Sequence, residues 1–331
     1  MSRYRWMVGG LALWAGAALA QMPMIGGMMP GLLQMQAIEV QRHQARTRLY
    51  QEALEEIRKN PAITDIRRCV PGEAGAVCLP EAADTAPAAA GTPVVRRHFA
   101  LLIGNNAYGM PIPALSTPIH DVEQIGQLLT GRFGFQVRVV RDAGKADIVR
   151  ALNAIAAEAR PEDSVLIMYA GHGYLMDDTD MGYWIPVDAS VSTAANWIAN
   201  RDIAAFLKAI PARQIMLVSD SCFSGTLARE QKLATGATLG RDDILRRRAV
   251  LVFSSGGEEP VSDEGKEGHS IFAWSLIEAI RGMDHGVPGF DVYRRVKDRV
   301  VREYPQEPQY GAVLSAGHSA GGDFLLEPAA P

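Results

Sequence analysis

Cysteine is scarce in this chain. Three stand among 331 residues, Cys69, Cys78 and Cys222, so the thiols cannot all pair with one another and one needs a separate account. Charge of one sign is short as well: 33 Lys and Arg against 37 Asp and Glu leave a formal net charge of −4. That balance offers no basic face to nucleic acid and no general attraction to anionic lipid, so partners have to be argued from a site. No internal repeat is visible. A long apolar run is missing too, because the stretch from Trp6 to Leu19 is broken by Gly9, Gly10 and Gly16, whereas a membrane-spanning helix needs about 20 apolar residues. What remains is an ordinary globular composition, 48% hydrophobic and 21% charged, which predicts a packed core.

Residues 1–20 read as a secretory signal peptide: Arg3 and Arg5 precede the apolar stretch, which closes on Ala18-Leu19-Ala20. No cysteine follows at the cleavage point, which argues against lipoprotein processing. The chain is expected to be exported, most simply to the periplasm, with no membrane association after cleavage; a signal-anchored membrane protein is the alternative. An oxidising compartment favours disulfides. Cys69 and Cys78 are nine residues apart across a flexible Pro- and Gly-containing segment and are expected to pair, leaving Cys222 free. Residues 21–93 form a helical N-terminal segment: a Met- and Gly-rich tether over 22–36, an amphipathic helix over 38–59 with Tyr50, Leu54 and Ile57 on one stripe, the cysteine pair, and an Ala- and Pro-rich linker from Glu81 to Pro93. No metal is assigned to the methionines.

A compact domain is expected over 94–328. There, short β-rich runs alternate with helical stretches, the signature of an α/β protein with a mostly parallel central sheet. Strands are expected at His98–Gly104, Phe135–Arg141, Ser164–Ala170, Gln214–Ser219 and Ala249–Ser254. Helices are expected after Thr117 and Pro118, with Val122, Ile125 and Leu129 buried, and at Ala146–Arg160, Asp202–Ile210, His269–Arg281 and Phe290–Glu303. Thr226–Arg248 reads as a polar, basic, irregular connector.

Parallel α/β sheets bind ligands at the carboxyl ends of their strands, and His172 and Cys222 both follow such ends, fifty residues apart. Gly171 and Gly173 let the backbone turn beside His172 and let a substrate come close. A thiolate attacks and an adjacent imidazole accepts or returns the proton, so Cys222 is the candidate nucleophile and His172 the general acid and base. Backbone N–H groups of Gly173 and Cys222 are the candidates for an oxyanion hole. Nothing in the sequence names a partner for the other imidazole nitrogen.

At this point the residues resemble a known family, the caspase-like cysteine peptidases, and within them the metacaspases and bacterial orthocaspases. The resemblance runs from about residue 98 to 326. It is carried by Phe99-Ala-Leu-Leu-Ile-Gly-Asn-Asn-Ala-Tyr108, His120-Asp121, Tyr169-Ala-Gly-His-Gly173, Ile185-Pro-Val-Asp188, Asp220-Ser-Cys-Phe-Ser-Gly225 and Gly268-His-Ser-Ile-Phe-Ala273. It implies a caspase-like α/β/α sandwich and an endopeptidase acting through a covalent thioester, cleaving after Arg or Lys. The family's pocket acids map onto Asp121 and Asp220, whose carboxylates would receive the basic side chain. Each also has a plainer reading: Asp121 lies in a helix's first turn, where the dipole favours an anion, and Asp220 could hold the nucleophile loop.

Two departures from the family pattern are Ala170, where serine is common, and Phe223, where histidine is common. No cofactor or required metal is expected: the paired acids of calcium-activated relatives are replaced by Asn200-Arg201-Asp202, and Asp177, Asp178 and Asp180 read as a solvent loop. The partner is a protein or peptide substrate. Self-cleavage in the connector is a further expectation, at Arg229, Lys232, Arg241 or Arg246-Arg247-Arg248. Two readings from other classes stay open, a catalytically silent interaction scaffold and a cysteine hydrolase of small amides.

Overall fold

A computed structural model describes residue 48 and residues 94–176, 181–221, 231–233, 240–256, 265–304 and 306–329. Chain contacts divide the protein into two units, Met1–Arg48 and Leu49–Pro331, and every element below belongs to the second. The leader, the 38–59 helix, the Cys69–Cys78 pair, the Ala/Pro linker, Asp177, Asp178, Asp180, Cys222 and Arg229 lie outside the described residues. Among the described residues no helix is long and apolar enough to cross a membrane.

In chain order the elements are β1 (His98–Gly104), α1 (Pro118–Phe133), β2 (Gln136–Arg141), α2 (Lys145–Glu158), β3 (Ser164–Ala170), β4 (Gly173–Met176), β5 (Met181–Trp184), β6 (Ile198–Ala199), α3 (Asn200–Ala209), β7 (Gln214–Asp220), β8 (Gln231–Lys232), α4 (Arg241–Arg246), β9 (Ala249–Ser254), α5 (Ile271–Arg281), β10 (Val287–Pro288), α6 (Gly289–Glu303), β11 (Gln309–Ala312) and β12 (Leu325–Leu326). The main sheet has the order β2-β1-β3-β7-β9-β11-β8. Its first five strands are mutually parallel, and β11 runs antiparallel to both β9 and β8.

The layering follows from strand periodicity. Successive side chains of a strand point to opposite faces, and here both faces are apolar. Ala100, Leu102, Leu166, Met168, Met216, Val218, Leu251 and Phe253 pack on one side with the stripe Val122, Ile125, Leu129 and Phe133 of α1 and with residues of α5 and α6. Leu101, Ile103, Val165, Ile167, Ile215, Leu217, Val250 and Val252 pack on the other with Ile148, Leu152 and Ile155 of α2 and Ile203 and Leu207 of α3. Helices on both faces of a mostly parallel sheet make the α/β/α sandwich expected from the sequence. Each fully buried Leu, Ile, Val or Phe contributes about 1.5–3 kcal/mol.

Two expectations need correction. No strand was assigned between Ala170 and Gln214, yet β4, β5 and β6 form a small antiparallel sheet over a cluster of Tyr108, Ile112, Tyr174, Tyr183 and Trp197. The connector is also not irregular throughout. It holds β8 and α4, and α4 buries Ile244 and Leu245 against Leu325.

Arg248, grouped with the basic residues of the connector, is buried. Its guanidinium donates to the carbonyls of Ala212 (2.6 Å), Ile210 (3.1 Å), Leu207 (3.3 Å), Ala316 (3.4 Å) and Lys208 (3.5 Å). Leu207, Lys208 and Ile210 supply the carbonyls left open at the end of α3, so this arginine caps that helix. Arg241 is held by Glu327, with bonds of 2.7 and 2.9 Å.

Candidate active site

The site is set by the register of two neighbouring parallel strands. Ala170 at the end of β3 pairs with Asp220 at the end of β7, and the Gly171 N–H still donates to the Asp220 carbonyl at 3.2 Å. His172 follows two residues after one partner, and position 222 follows two residues after the other. Adjacent strands lie about 4.8 Å apart, so the two chain paths leave the sheet side by side at its carboxyl edge. Ser221, the last described residue before Cys222, is buried, and its hydroxyl lies 3.1 Å from that of Ser219. Ser219 in turn accepts from the Trp184 indole at 3.3 Å, and Trp184 stacks on Tyr169 at 4.4 Å.

His172 is buried and held at three points. Its ring Nε2 lies 2.8 Å from the Pro113 carbonyl oxygen. A carbonyl can only accept, so Nε2 carries the proton, and in the neutral imidazole Nδ1 is the basic nitrogen. Its backbone N–H donates to the Tyr108 hydroxyl at 2.9 Å, and its carbonyl accepts from the Tyr169 hydroxyl at 2.9 Å. The two hydroxyls are 3.4 Å apart, and the Tyr108 ring stands edge-on to the imidazole at 4.6 Å. Burial pushes the Tyr108 phenol up to about 12, so it stays neutral and keeps both bonding roles at ordinary pH.

The same tyrosines explain Gly171. A Cβ at that position would stand 2.6 Å from the Tyr108 oxygen and 2.9 Å from the Tyr169 oxygen, so a methyl group has no room. Gly173, the other flanking glycine, opens β4 opposite Trp184.

Pro113 and Tyr108 reach the site on the loop after β1. Asn106 anchors that loop: its carbonyl accepts from the Leu115 N–H, its side-chain oxygen accepts from the Ile119 N–H, and its amide donates to the Ser116 carbonyl. Asn105 locks the loop to the next crossover by accepting from the Ala143 N–H at 2.8 Å and donating to the Ala143 carbonyl at 3.3 Å. Asp142 accepts from the N–H groups of both Asn106 and Ala107 at 2.8 Å. The run Gly104-Asn-Asn-Ala-Tyr108 is therefore a positioning device for the histidine.

Asp121 and Asp220 are brought together by one short segment ahead of α5. The His269 Nδ1 bonds one Asp121 oxygen at 2.6 Å, and the Ser270 N–H donates to the other at 3.3 Å. The Ser270 hydroxyl donates to Asp220 at 2.6 Å and, as the N-cap of α5, accepts from the Ala273 N–H at 2.9 Å. A hydroxyl has one donor and two acceptor positions, so it can do both. Gly268, at φ +79°, supplies the left-handed turn that delivers His269 to the acid, and its carbonyl accepts from His120 Nδ1 at 3.1 Å. Burial is the main influence on Asp121 and raises its carboxyl above the usual aspartate range; the His269 bond pulls the other way.

Of the residues singled out in the sequence, His172, Gly173, Asp121 and Asp220 lie among the described residues, and Cys222 does not. The other imidazole nitrogen does have a partner. It is a backbone carbonyl, Pro113, which no side-chain pattern marks. Tyr108, Tyr169, His269 and Ser270 each stand inside motifs quoted above, but their roles depend on contacts between distant segments. Among the described residues no cluster of His, Cys, Asp and Glu is arranged to hold a metal ion.

Fold and site together define an α/β sandwich with a tautomer-locked histidine at the carboxyl edge of a parallel sheet, next to the strand that leads into Cys222. Residues 97–316 match the caspase domain, and the chain belongs to that family of cysteine peptidases. Its relatives include metacaspases. It is similar to Metacaspase-1 of Scheffersomyces stipitis, 32% identical over 150 residues that cover 39% of this chain and 36% of that one. It is also similar to Metacaspase-1B of Aspergillus niger, 28% identical over 177 residues, 48% of this chain and 40% of that one. With Metacaspase-1 of Ajellomyces capsulatus the likeness is 29% over 300 residues, 69% of this chain and 82% of that one. The chain thus spans 36% and 40% of the first two relatives' length.

Proposed function

We propose that this protein is a cysteine endopeptidase that cuts after Arg or Lys. In this reading His172 Nδ1 takes the proton of the Cys222 thiol, and the thiolate sulfur attacks the scissile carbonyl carbon. The tetrahedral oxyanion accepts hydrogen bonds from the backbone N–H groups of Gly173 and Cys222. Collapse breaks the C–N bond, His172 returns the proton to the leaving amine, and a thioester remains. Water, deprotonated by His172, hydrolyses the thioester, and the proton returns to the Cys222 sulfur. The observation that carries the reading is the Nε2 bond to Pro113, which makes Nδ1 the basic nitrogen on the strand end beside the one leading to Cys222. Asp121 and Asp220, joined through Ser270, are the acids that would receive the basic side chain.

The test is a set of fluorogenic peptides ending in Arg, Lys or Asp, offered to wild type and Cys222→Ala. Cleavage after Arg and Lys by wild type alone is expected. Cleavage only after Asp would overturn the pocket, and no cleavage of any peptide would favour an interaction scaffold. No resident metal takes part in this scheme, so turnover is expected to survive a chelator.

Self-cleavage belongs to the same reading, at a narrower choice of bonds. Arg248 is buried at the start of a central strand, whereas Arg246 and Arg247 are exposed at the end of α4. Wild type incubated alone is expected to fragment at one of the remaining connector positions, Arg229, Lys232, Arg241, Arg246 or Arg247, and Cys222→Ala is not. Export to the periplasm, from the leader at residues 1–20, is checked by fractionating cells that express the full chain.

A further inference from the structure

Asp220 has a neighbour on each adjoining strand of the sheet. Ala170, its register partner on β3, offers only a methyl group. On β9 the register sets Val218 beside Phe253 and Ser219 beside Ser254, and the Ser255 N–H extends the ladder by donating to the Ser219 carbonyl at 3.0 Å. The residue beside Asp220 on that side is therefore Ser255. Side chains two apart on a strand share a face, so Asp220 and Ser255 point to the side of Val218 and Phe253, which α1 and α5 cover. Asp121 on α1 and Ser270 at the start of α5 reach the pocket from that same side. Ser255 is fully buried, and its hydroxyl has no hydrogen-bond partner among the described residues. Its backbone is held all the same: its carbonyl accepts from the Gln306 amide at 2.7 Å, and the Ser254 hydroxyl closes the turn on the Gly256 carbonyl at 3.1 Å. A hydroxyl shut away without a partner costs folding free energy that a methyl group in the same space would not. Asp121 at 1% exposure, Asp220 at 7% and Ser255 at 0% are buried alike. A basic side chain that reaches the acids meets the hydroxyl as well.

We propose that Ser255 is a specificity-determining residue, the neutral acceptor that completes the pocket for a basic side chain. The inference rests on the Arg/Lys reading given above. A guanidinium presents five N–H donors and an ammonium three, more than a carboxylate takes in a bidentate pair. The Ser255 oxygen, with two acceptor positions one strand from Asp220, takes an N–H that the acids leave open. An acceptor bond to a charged donor corresponds to roughly 10- to 100-fold in affinity. The hydroxyl meets the substrate side chain and not the reacting atoms, so it acts on selection and not on bond cleavage.

The experiment compares kcat/KM for two matched peptides, one ending in Arg and one in norleucine, whose side chain has no N–H, in wild type and Ser255→Ala. A thermal melt without substrate accompanies it, as does the rate at which iodoacetamide abolishes activity, which reads Cys222 and His172 without the pocket. Ser255→Ala is expected to lower the Arg-to-norleucine ratio about tenfold or more, mainly through KM for the Arg peptide. Its melting temperature is expected to equal or exceed that of wild type, and its inactivation rate to be unchanged. Ser255→Cys, whose thiol is a weak acceptor of similar size, carries the same expectation for the ratio and stands in if the alanine variant does not fold. A wild-type preference for Arg that both variants keep overturns the role of Ser255 and leaves the basic pocket standing. An equal fall for both peptides with slower inactivation also overturns it, assigning the hydroxyl to the framework. A clearly lower melting temperature in Ser255→Ala does the same, because the hydroxyl would then be bonded in the free protein. A wild-type ratio near one overturns the pocket and the inference together.

Discussion

Replacing Tyr108 with Phe removes one oxygen atom and leaves the ring. The ring's edge-on contact with the imidazole, at 4.6 Å, survives, and so does the Nε2 bond to Pro113. What is lost is the acceptor for the His172 backbone N–H, a 2.9 Å bond between two buried residues. A buried donor left without a partner costs about 1–3 kcal/mol. At about 2–4 °C per kcal/mol for a domain of this size, the melting temperature should fall by roughly 2–12 °C. The effect on the proposed reaction is larger, because the His172 N–H and carbonyl are the two backbone points that Tyr108 and Tyr169 hold. A displacement of up to an ångström in a general base costs up to about 100-fold. The expected result is kcat down by about 10- to 100-fold with KM little changed, since no contact to substrate is removed. The pH at which activity rises should stay where it is, because the imidazole keeps its tautomer. Steady-state kinetics on an Arg-ending peptide, with a thermal melt on the same sample, reads all of this. Unchanged kcat together with an unchanged melting temperature would refute the positioning role.

Three further outcomes are expected. Gly171→Ala places a methyl group 2.6 Å from the Tyr108 oxygen and should cost about 1–3 kcal/mol as overpacking; combining it with Tyr108→Phe should cost less than the two separately, and strict additivity in denaturant unfolding would count against the clash. Arg248→Met uncaps α3 and strips the guanidinium from five carbonyls, the shortest contact being 2.6 Å; a loss of about 3 kcal/mol is expected, and a calorimetric melt within 1 or 2 °C of wild type, set against the expected roughly 6–12 °C, would contradict it. Burial is the leading cause that raises the Asp323 carboxyl above the usual range, even though it accepts from Tyr310 at 2.7 Å. The native state therefore keeps a proton that the unfolded chain has already released, so this group's contribution to stability is greatest below the unfolded value of about 3.9 and is lost as pH rises through the folded value. The stability of wild type relative to Asp323→Asn should thus decline from about pH 4 upward and then level; urea titrations in which the difference rises with pH would disprove the assignment.

Much of the architecture was legible in the chain. Apolar runs five to seven residues long with helical stretches between them predict parallel strands, and the five parallel strands appear within a residue or two of where the pattern puts them. Where the pattern failed, the segments were short or owed their form to distant partners. The four-residue strands β4 and β5 are held by each other and by the Tyr108 cluster, and β8 exists only as a two-residue pairing with β11. The candidate site divides the same way. Glycines around a histidine at a strand end, and acids in quoted motifs, stand out locally. The carbonyl of Pro113 does not, because every residue has one.

The sequence by itself determined a mostly parallel α/β sheet and the strand ends on which the chemistry would sit, because local periodicity and strand length suffice to say which segments are buried on both faces; the α/β/α sandwich was what the family resemblance implied. It also determined that Cys222 follows one such end and His172 another. Only the tertiary structure decided which nitrogen of His172 carries the proton, which tyrosines hold its backbone, why Gly171 admits no side chain and which residues face Asp121 and Asp220. Those bonds join residues up to 149 positions apart, as Asp121 and Ser270 are, and hydrogen bonds have no range beyond contact.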